Sequence, residues 1–216
     1  MKLIDSFGPN PRVVRMCLAE KGLNLPSEQI DLLGGENRQS AYLARNPGGQ
    51  LPALELDDGT VIAETAVICE YLEEMHPTPA LVGATAAERA VARTWQRRVE
   101  LNITEHVYNG FRYAEGFELF KNRLYCIPEA APGLKAKAQD WLTKLDALIA
   151  GRDFICGNAI RFADITLYCC LDFAKDMNQP LNPELKNLNA WFQRMDARPS
   201  AKSSLHPAWE QIKMRG

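Results

Sequence analysis

The chain predicts a two-part protein, an α/β domain followed by an all-helical domain, and three observations carry that prediction. Residues 1–76 alternate between short strand-like and helix-like stretches separated by Gly and Pro. Residues 77–85 hold Pro77 and Pro79 and no periodicity, which reads as a linker. From 86 to 216 apolar residues recur at helical spacing and nothing signals a strand. A length of 216 residues accommodates one or two domains at about 150 residues each.

The elements follow in order. Lys2–Ser6 is a short strand, and Gly8-Pro9-Asn10-Pro11 is a turn. Pro11 suits a first helical turn, where a missing N–H costs nothing, and Val13, Val14, Cys17 and Leu18 then mark a helix that runs to Lys21 and stops at Gly22. Gln29–Leu32 is the next strand, 34–37 a polar loop, and Gln39–Arg45 a short helix. Ala53–Leu56 and Thr60–Ala63 flank the Asp57-Asp58-Gly59 turn of a hairpin. Glu64–Met75 is helical, with Val67, Ile68, Tyr71, Leu72 and Met75 on one face. The order β-α-β-α-β-β-α implies one mixed sheet with helices packed on it.

Beyond the linker, Ala90, Val91, Thr94, Trp95, Val99 and Ile103 mark a stripe on a helix from 86 toward 113. Leu134, Ala138, Leu142, Leu145 and Ile149 mark a second helix, and 185–195 a fourth. The third, Phe162–Lys175, is apolar almost all round, the pattern of a helix at the centre of a bundle.

Composition removes several function classes. Hydrophobic residues make up 46% and charged residues 24%, a globular rather than a disordered balance. With 25 basic and 27 acidic residues and no basic run, a nucleic-acid surface is not expected. No stretch has the length of a membrane span, and the opening MKLIDSFGPNP lacks the apolar core of a secretory signal, so a cytoplasmic, reducing location is expected. The six cysteines form no metal spacing and no C-x-x-C pair; Cys17, Cys69, Cys156, Cys169 and Cys170 read as small buried hydrophobes.

The chemistry concentrates in Asn46-Pro47-Gly48-Gly49-Gln50-Leu51-Pro52-Ala53-Leu54, followed ten residues on by Glu64-Thr65 at the start of a helix. A cis bond before Pro52 would expose the backbone of Leu51 to an extended ligand, which could pair with it as an added strand does. A helix N-terminus attracts a carboxylate, and Glu64 can hold an ammonium, so the pair suits an amino-acid head group. The plainer alternative is that Glu64 or Thr65 only caps the helix. In Glu36-Asn37-Arg38-Gln39, Arg38 could meet a second carboxylate or simply be solvated.

These motifs resemble the cytosolic glutathione transferase family. NPGGQLPAL with the later ET is similar to that family's glutathione site, SFGPNPRVV through LAEKGL to its first strand and helix, and FICGNAIRFADITLYCCLDFA to a helix of its C-terminal domain. The resemblance implies a thioredoxin-like N-terminal domain and an all-α C-terminal bundle, glutathione as co-substrate, no metal, and conjugation of its thiolate to small hydrophobic electrophiles. It implies that Leu51 pairs with the cysteinyl unit beside cis-Pro52, that Glu64 and Thr65 take the γ-glutamyl head, and that Gln50, Asn37 and Arg38 lie toward the glycyl carboxylate. The aromatic segment after residue 104 corresponds to the second-substrate pocket, with Tyr108, Phe111, Arg112 and Tyr113 as its candidates. A homodimer is implied, with the Glu64 helix and the 86–113 helix near the two-fold axis.

Two departures from the family pattern stand out. No Tyr, Ser or Cys occupies the usual thiol-activating position, and the chain is similar to a fungal and bacterial branch that lacks it. Asn10, next to the helix start, is one candidate donor to the sulfur; His106, which could orient a water, is the other. Lowering a thiol pKa from about 8.5 by two units takes roughly 2.7 kcal/mol, and a helix dipole supplies about 0.3–2, so a donor must add to it. Arg161 also stands where a Ser or Thr usually caps the FADIT helix, a loss of about 1 kcal/mol. Two rival functions share the fold. A thiol-disulfide exchange enzyme would need a reactive Cys at the first helix start, where Cys17 is two turns too late; a non-catalytic binder would need only the site.

Overall fold

The structure, a computed structural model, describes residues 1–212. It divides into two compact units, Met1–Leu81 joined by the chain from Pro199 onward, and Val82–Arg198.

The first unit is built on four strands: β1 (Lys2–Asp5), β2 (Ser27–Gln29), β3 (Ala53–Glu55) and β4 (Val61–Ala63), in the order β2-β1-β3-β4. β1 runs parallel to β2, with Leu3 opposite Ser27, and antiparallel to β3, with Ile4 opposite Ala53. β3 and β4 are the expected hairpin, with Leu54 opposite Ile62. With the short helix α2 (Ser40–Leu43) between them in the chain, helices α1 (Pro9–Glu20) and α3 (Thr65–Met75) bury Val13, Val14, Cys17 and Leu18, and Ile68, Cys69 and Leu72. Ile4, Leu54, Ile68 and Leu72 are fully buried, each worth about 1.5–3 kcal/mol over an exposed position. Two elements are displaced from their expected places. β2 lies at 27–29 rather than Gln29–Leu32, because it is an edge strand whose own residues carry no apolar alternation; the apolar Ile30 only follows it. α1 starts at Pro9, not Pro11, since both prolines fit a first turn.

Lys21 and Glu73 form a buried ion pair, Nζ to Oε2 2.6 Å. Lys21 also donates to the Pro79 carbonyl (2.8 Å), and Glu73 accepts the Leu81 N–H (3.1 Å). These bonds fasten the connector to α1 and α3.

The tail differs from the expected helical domain spanning 86–216. α10 (Pro199–Ser203) belongs to the first unit, held by the fully buried Arg12, which donates to the Ala201 carbonyl (2.9 Å) and to Ser204 Oγ (3.3 Å). Arg15 donates to the Ser204 carbonyl at 2.8 Å and to Asp5 at 2.6 Å. Partners about 190 residues apart leave no local pattern in a sequence.

The second unit is helical among its described residues. α4 (Ala86–Val99) opens with a capping box between Thr85 and Glu88. A π turn, Glu100–Thr104, separates it from α5 (Glu105–Arg112), so the expected continuous helix from 86 toward 113 changes register midway. Ala90, Val91 and Thr94, expected on the apolar stripe, are exposed; Ala92, Trp95, Gln96, Val99 and Ile103 are the buried positions. A short helix, α6 (Phe117–Phe120), precedes α7 (Ala131–Leu148), α8 (Phe162–Asp176) and α9 (Lys186–Asp196). α8 is buried from Phe162 through Ala174, as its all-round apolar sequence requires. Its N-terminus is held by Asp164, which accepts from the N–H of Ile155 and of Arg161 and from the Trp191 indole, each at 2.8 Å. Burial pushes that carboxyl up to about 6, against the pull of the three donors. No helix among the described residues is long and apolar enough to cross a membrane.

Candidate functional site

A small concavity in the first unit is lined by Asn10, Asn46, Gln50, Leu51, Pro52, Ala63, Glu64 and Thr65. Six of these eight are residues the sequence singles out, brought together from the first turn of α1, the loop before β3 and the start of α3. The Leu51–Pro52 bond is cis, as expected.

The α3 N-terminus is uncapped. Neither Glu64 nor any other side chain bonds its first N–H groups, and the first backbone bond runs from Ile68 N–H to Glu64. The N–H groups of Thr65, Ala66 and Val67 therefore have no intrahelical acceptor. Glu64 is exposed at φ 70°, ψ 123°, a region costly for a residue with a Cβ, and one found mainly where a site imposes it. The capping alternative is thus absent from the structure: the positive helix end, the Thr65 hydroxyl and the Glu64 carboxylate all remain uncommitted.

The Leu51 N–H likewise meets no acceptor among the described residues. At α1, Pro9 and Pro11 carry no N–H and Arg12 already bonds Gly8 (3.2 Å), so Asn10 brings the only unpaired backbone donor of the first turn. Its side-chain amide has no protein partner either. Ser6, the nearest hydroxyl, is buried and donates to the Ile30 carbonyl at 2.9 Å, which withdraws it from any ligand.

Asn37 and Arg38 lie in a 3₁₀ turn, Glu36–Arg38. Asn37 is buried and donates to the Gly49 carbonyl at 2.6 Å, so its amide supports the loop instead of facing outward. Gly49 has φ 60°, and a Cβ there would sit 2.9 Å from Arg38 Nη1 and 3.0 Å from Leu43; only Gly lets the loop close on that guanidinium. Two residues that sequence reasoning missed complete the loop. The Tyr42 hydroxyl and the Asn46 amide both donate to the Gln50 carbonyl, at 2.6 and 2.9 Å. Asn46 belongs to the NPGG motif, a signal that could have marked it; Tyr42 has none.

The remaining candidates lie on the helical unit. His106 is half-buried, its Nδ1 shielded and without a partner, and burial together with Lys137 lowers its pKa. Tyr108 packs edge-on to Phe173 (6.0 Å), and burial raises its phenol well above its usual value. Phe111 sits between Phe173 (5.1 Å) and Phe120 (6.1 Å). Arg112 lies over the rings of Tyr108 and Phe120, and Tyr113, half-buried, ends the helix. Tyr108 and Phe111 contribute mostly to the packing of this unit, leaving Arg112 and Tyr113 the more accessible members.

A mixed β-α-β-α-β-β-α unit with an open peptide edge beside an uncapped helix, followed by a helical unit, defines a thioredoxin-like glutathione-binding class. The models of the glutathione S-transferase N-terminal and C-terminal domains match residues 7–75 and 128–199. The chain is 34% identical over 205 residues to Glutathione S-transferase 2 of Saccharomyces cerevisiae, covering 92% of this chain and 86% of that protein. Gtt2 from Saccharomyces cerevisiae superposes with a TM-score of 0.89 at 35% identity, over 95% of this chain and 100% of that one. Over 82 residues, 37% of this chain and 39% of the relative, it is 48% identical to the maleylacetoacetate isomerase of Pseudomonas aeruginosa. The chain belongs to the cytosolic glutathione transferase family, whose members use glutathione as co-substrate.

Proposed function

We propose that this protein binds glutathione in the concavity of the first unit and transfers its thiolate to small hydrophobic electrophiles. One observation carries the reading: Asn10, Leu51, Glu64 and Thr65 line one concavity, and the Asn10 amide, the Leu51 N–H, the Glu64 carboxylate and the Thr65 hydroxyl are bonded to nothing else among the described residues. The α3 N–H groups and Thr65 meet the γ-glutamyl carboxylate, Glu64 its ammonium, Leu51 the cysteinyl backbone, and Arg38 with Gln50 the glycyl end. Asn10 donates to the sulfur. The protein contributes orientation and anion stabilisation rather than a covalent residue. Arg112 and Tyr113, the accessible members of the aromatic segment, form the surface for the electrophile, while Tyr108 and Phe111 are buried among their neighbours.

We also propose a homodimer. α3 exposes Val67, Glu74 and Met75, while α4 and the π turn expose Val91, Arg93, Arg97, Arg98 and Leu101, an apolar pair of faces with opposite charge. Sedimentation at micromolar concentration is expected to give twice the chain mass.

Calorimetry with glutathione, followed by conjugation to a nitro-activated aryl chloride, tests the main reading. Binding with turnover is expected. Binding without turnover would leave a ligand-binding protein, and no heat at millimolar tripeptide would end the proposal. The exchange-enzyme alternative is disfavoured by Cys17, which is buried inside α1.

A further inference from the structure

The Gln50–Leu51 peptide is held on one edge only. Its carbonyl accepts from two side chains, the Tyr42 hydroxyl at 2.6 Å and the Asn46 Nδ2 at 2.9 Å, which fills both lone pairs. The bond is trans, the cis peptides among the described residues being Leu51–Pro52 and Thr78–Pro79, so the Leu51 N–H points away from those donors. That N–H has no acceptor among the described residues.

The two donors are themselves fixed. Tyr42 is 3% exposed, and burial raises its pKa, so the hydroxyl keeps its proton. Asn46 is 6% exposed; its Oδ1 accepts the Gly48 N–H (3.3 Å), leaving Nδ2 for Gln50. Its own N–H donates to the Tyr42 carbonyl and its carbonyl accepts from Gly49, both at 2.9 Å. The preceding carbonyl, that of Gly49, is taken by Asn37. Side chains from the 37–46 segment thus hold two consecutive carbonyls of a loop that contains Gly48 and Gly49. Glycines make such a loop free to rotate its peptide planes unless something holds them. Rotation of the Gln50–Leu51 plane would present a carbonyl lone pair to a ligand where an N–H donor is required.

We propose that Tyr42 and Asn46 are positioning residues that lock this peptide plane, keeping the Leu51 N–H aimed outward as a preformed donor to the bound cysteinyl backbone. The proposal rests on the glutathione-binding reading above. It assigns to two residues that touch no reacting atom the task of setting affinity for the tripeptide without setting thiol reactivity.

The test uses the full-length protein as wild type, Tyr42→Phe, Asn46→Ala and the double variant. Tyr42→Phe removes a single hydroxyl and keeps the ring packed, so it remains informative if the double variant fails to fold. The expected result is a rise of about three- to tenfold in the glutathione Kd and KM for each single variant, with kcat unchanged. Hydrogen exchange adds a readout that a merely structural role would not move. Glutathione should protect the Leu51 amide in wild type and protect it far less in the variants, while the Leu3 and Ile4 amides exchange as in wild type. Equal Leu51 protection and equal Kd in wild type and Tyr42→Phe would overturn the lock and leave the binding reading standing. Absence of any glutathione heat in wild type would overturn both. A kcat that falls in step with kcat/KM would show that the pair acts on chemistry and not on positioning, and would also overturn it.

Discussion

The N-termini of α3 and α8 face the same physical problem and solve it in opposite ways. Each helix begins with N–H groups that have no intrahelical acceptor. At α8 the buried Asp164 accepts from Arg161 and at the same time ties Ile155 and Trp191 to the helix. At α3 nothing is tied: Glu64 stands exposed with φ 70° and the first three N–H groups stay open. One end is closed at its N-cap by a buried carboxylate and serves stability. The other is left for a ligand to finish, and the backbone strain at Glu64 is carried to keep it so.

That contrast can be broken or sharpened by mutation. Asp164→Ala strands three buried donors and is expected to lose roughly 3–5 kcal/mol in urea unfolding at pH 7. The folded fraction should still bind glutathione with wild-type Kd; a changed Kd would mean that the two ends are not independent. Next in size, Glu64→Gly should split the two roles. Relief of the strained φ should raise stability by about 1–2 kcal/mol, while loss of the ammonium partner weakens glutathione binding about tenfold or more. If stability fell instead, the strain account of Glu64 would be wrong.

A smaller effect belongs to a group with no part in either end. Arg45, and after it Lys2, holds the Glu28 carboxyl down to about 2. Its folded pKa lies below the unfolded value, so its contribution is complete above about 4.5 and fades as pH falls toward 2. Because Glu28 is partly solvated, the contribution is about 1 kcal/mol rather than the full shift. The stability gap between wild type and Glu28→Gln should be present at pH 7 and nearly closed at pH 2.5. Smallest is the tail, where His206 bonds Gln29 through Nε2 at 3.0 Å and accepts the Ala208 N–H through Nδ1 at 3.1 Å. Burial, aided by Arg15, lowers its pKa, so the neutral ring is the folded form and the contact weakens as pH falls below about 6.5. An NMR titration giving His206 a pKa above that of a model peptide would contradict this.

Most of the site was legible because its parts are local. Pro52, the two glycines before it and Glu64-Thr65 are short-range signals of a turn, a bend and a helix mouth, and Pro52, Glu64 and Thr65 line one concavity. What escaped is non-local or geometric. Asn37 looks like a ligand contact in sequence, yet its amide is spent on the Gly49 carbonyl. Tyr42 serves Gln50 through a loop closure that periodicity does not report. The π turn at 100–104 shifts the register of the helix it interrupts with no Pro or Gly to announce it, and Val91, apolar at helical spacing from Trp95, is nevertheless exposed. The edge strand β2 was misplaced because it buries almost nothing.

The docking of the tail on Arg12 and Arg15 has a consequence for biosynthesis. The first unit joins residues 1–81 to the chain from Pro199 onward, and a fully buried guanidinium in its α1 finds acceptors at Ala201 and Ser204. During translation that guanidinium waits for those acceptors until residues 201–204 have been made and have cleared the exit tunnel. The segment made first is therefore completed last, and a nascent chain stalled before residue 199 carries an unfinished first unit.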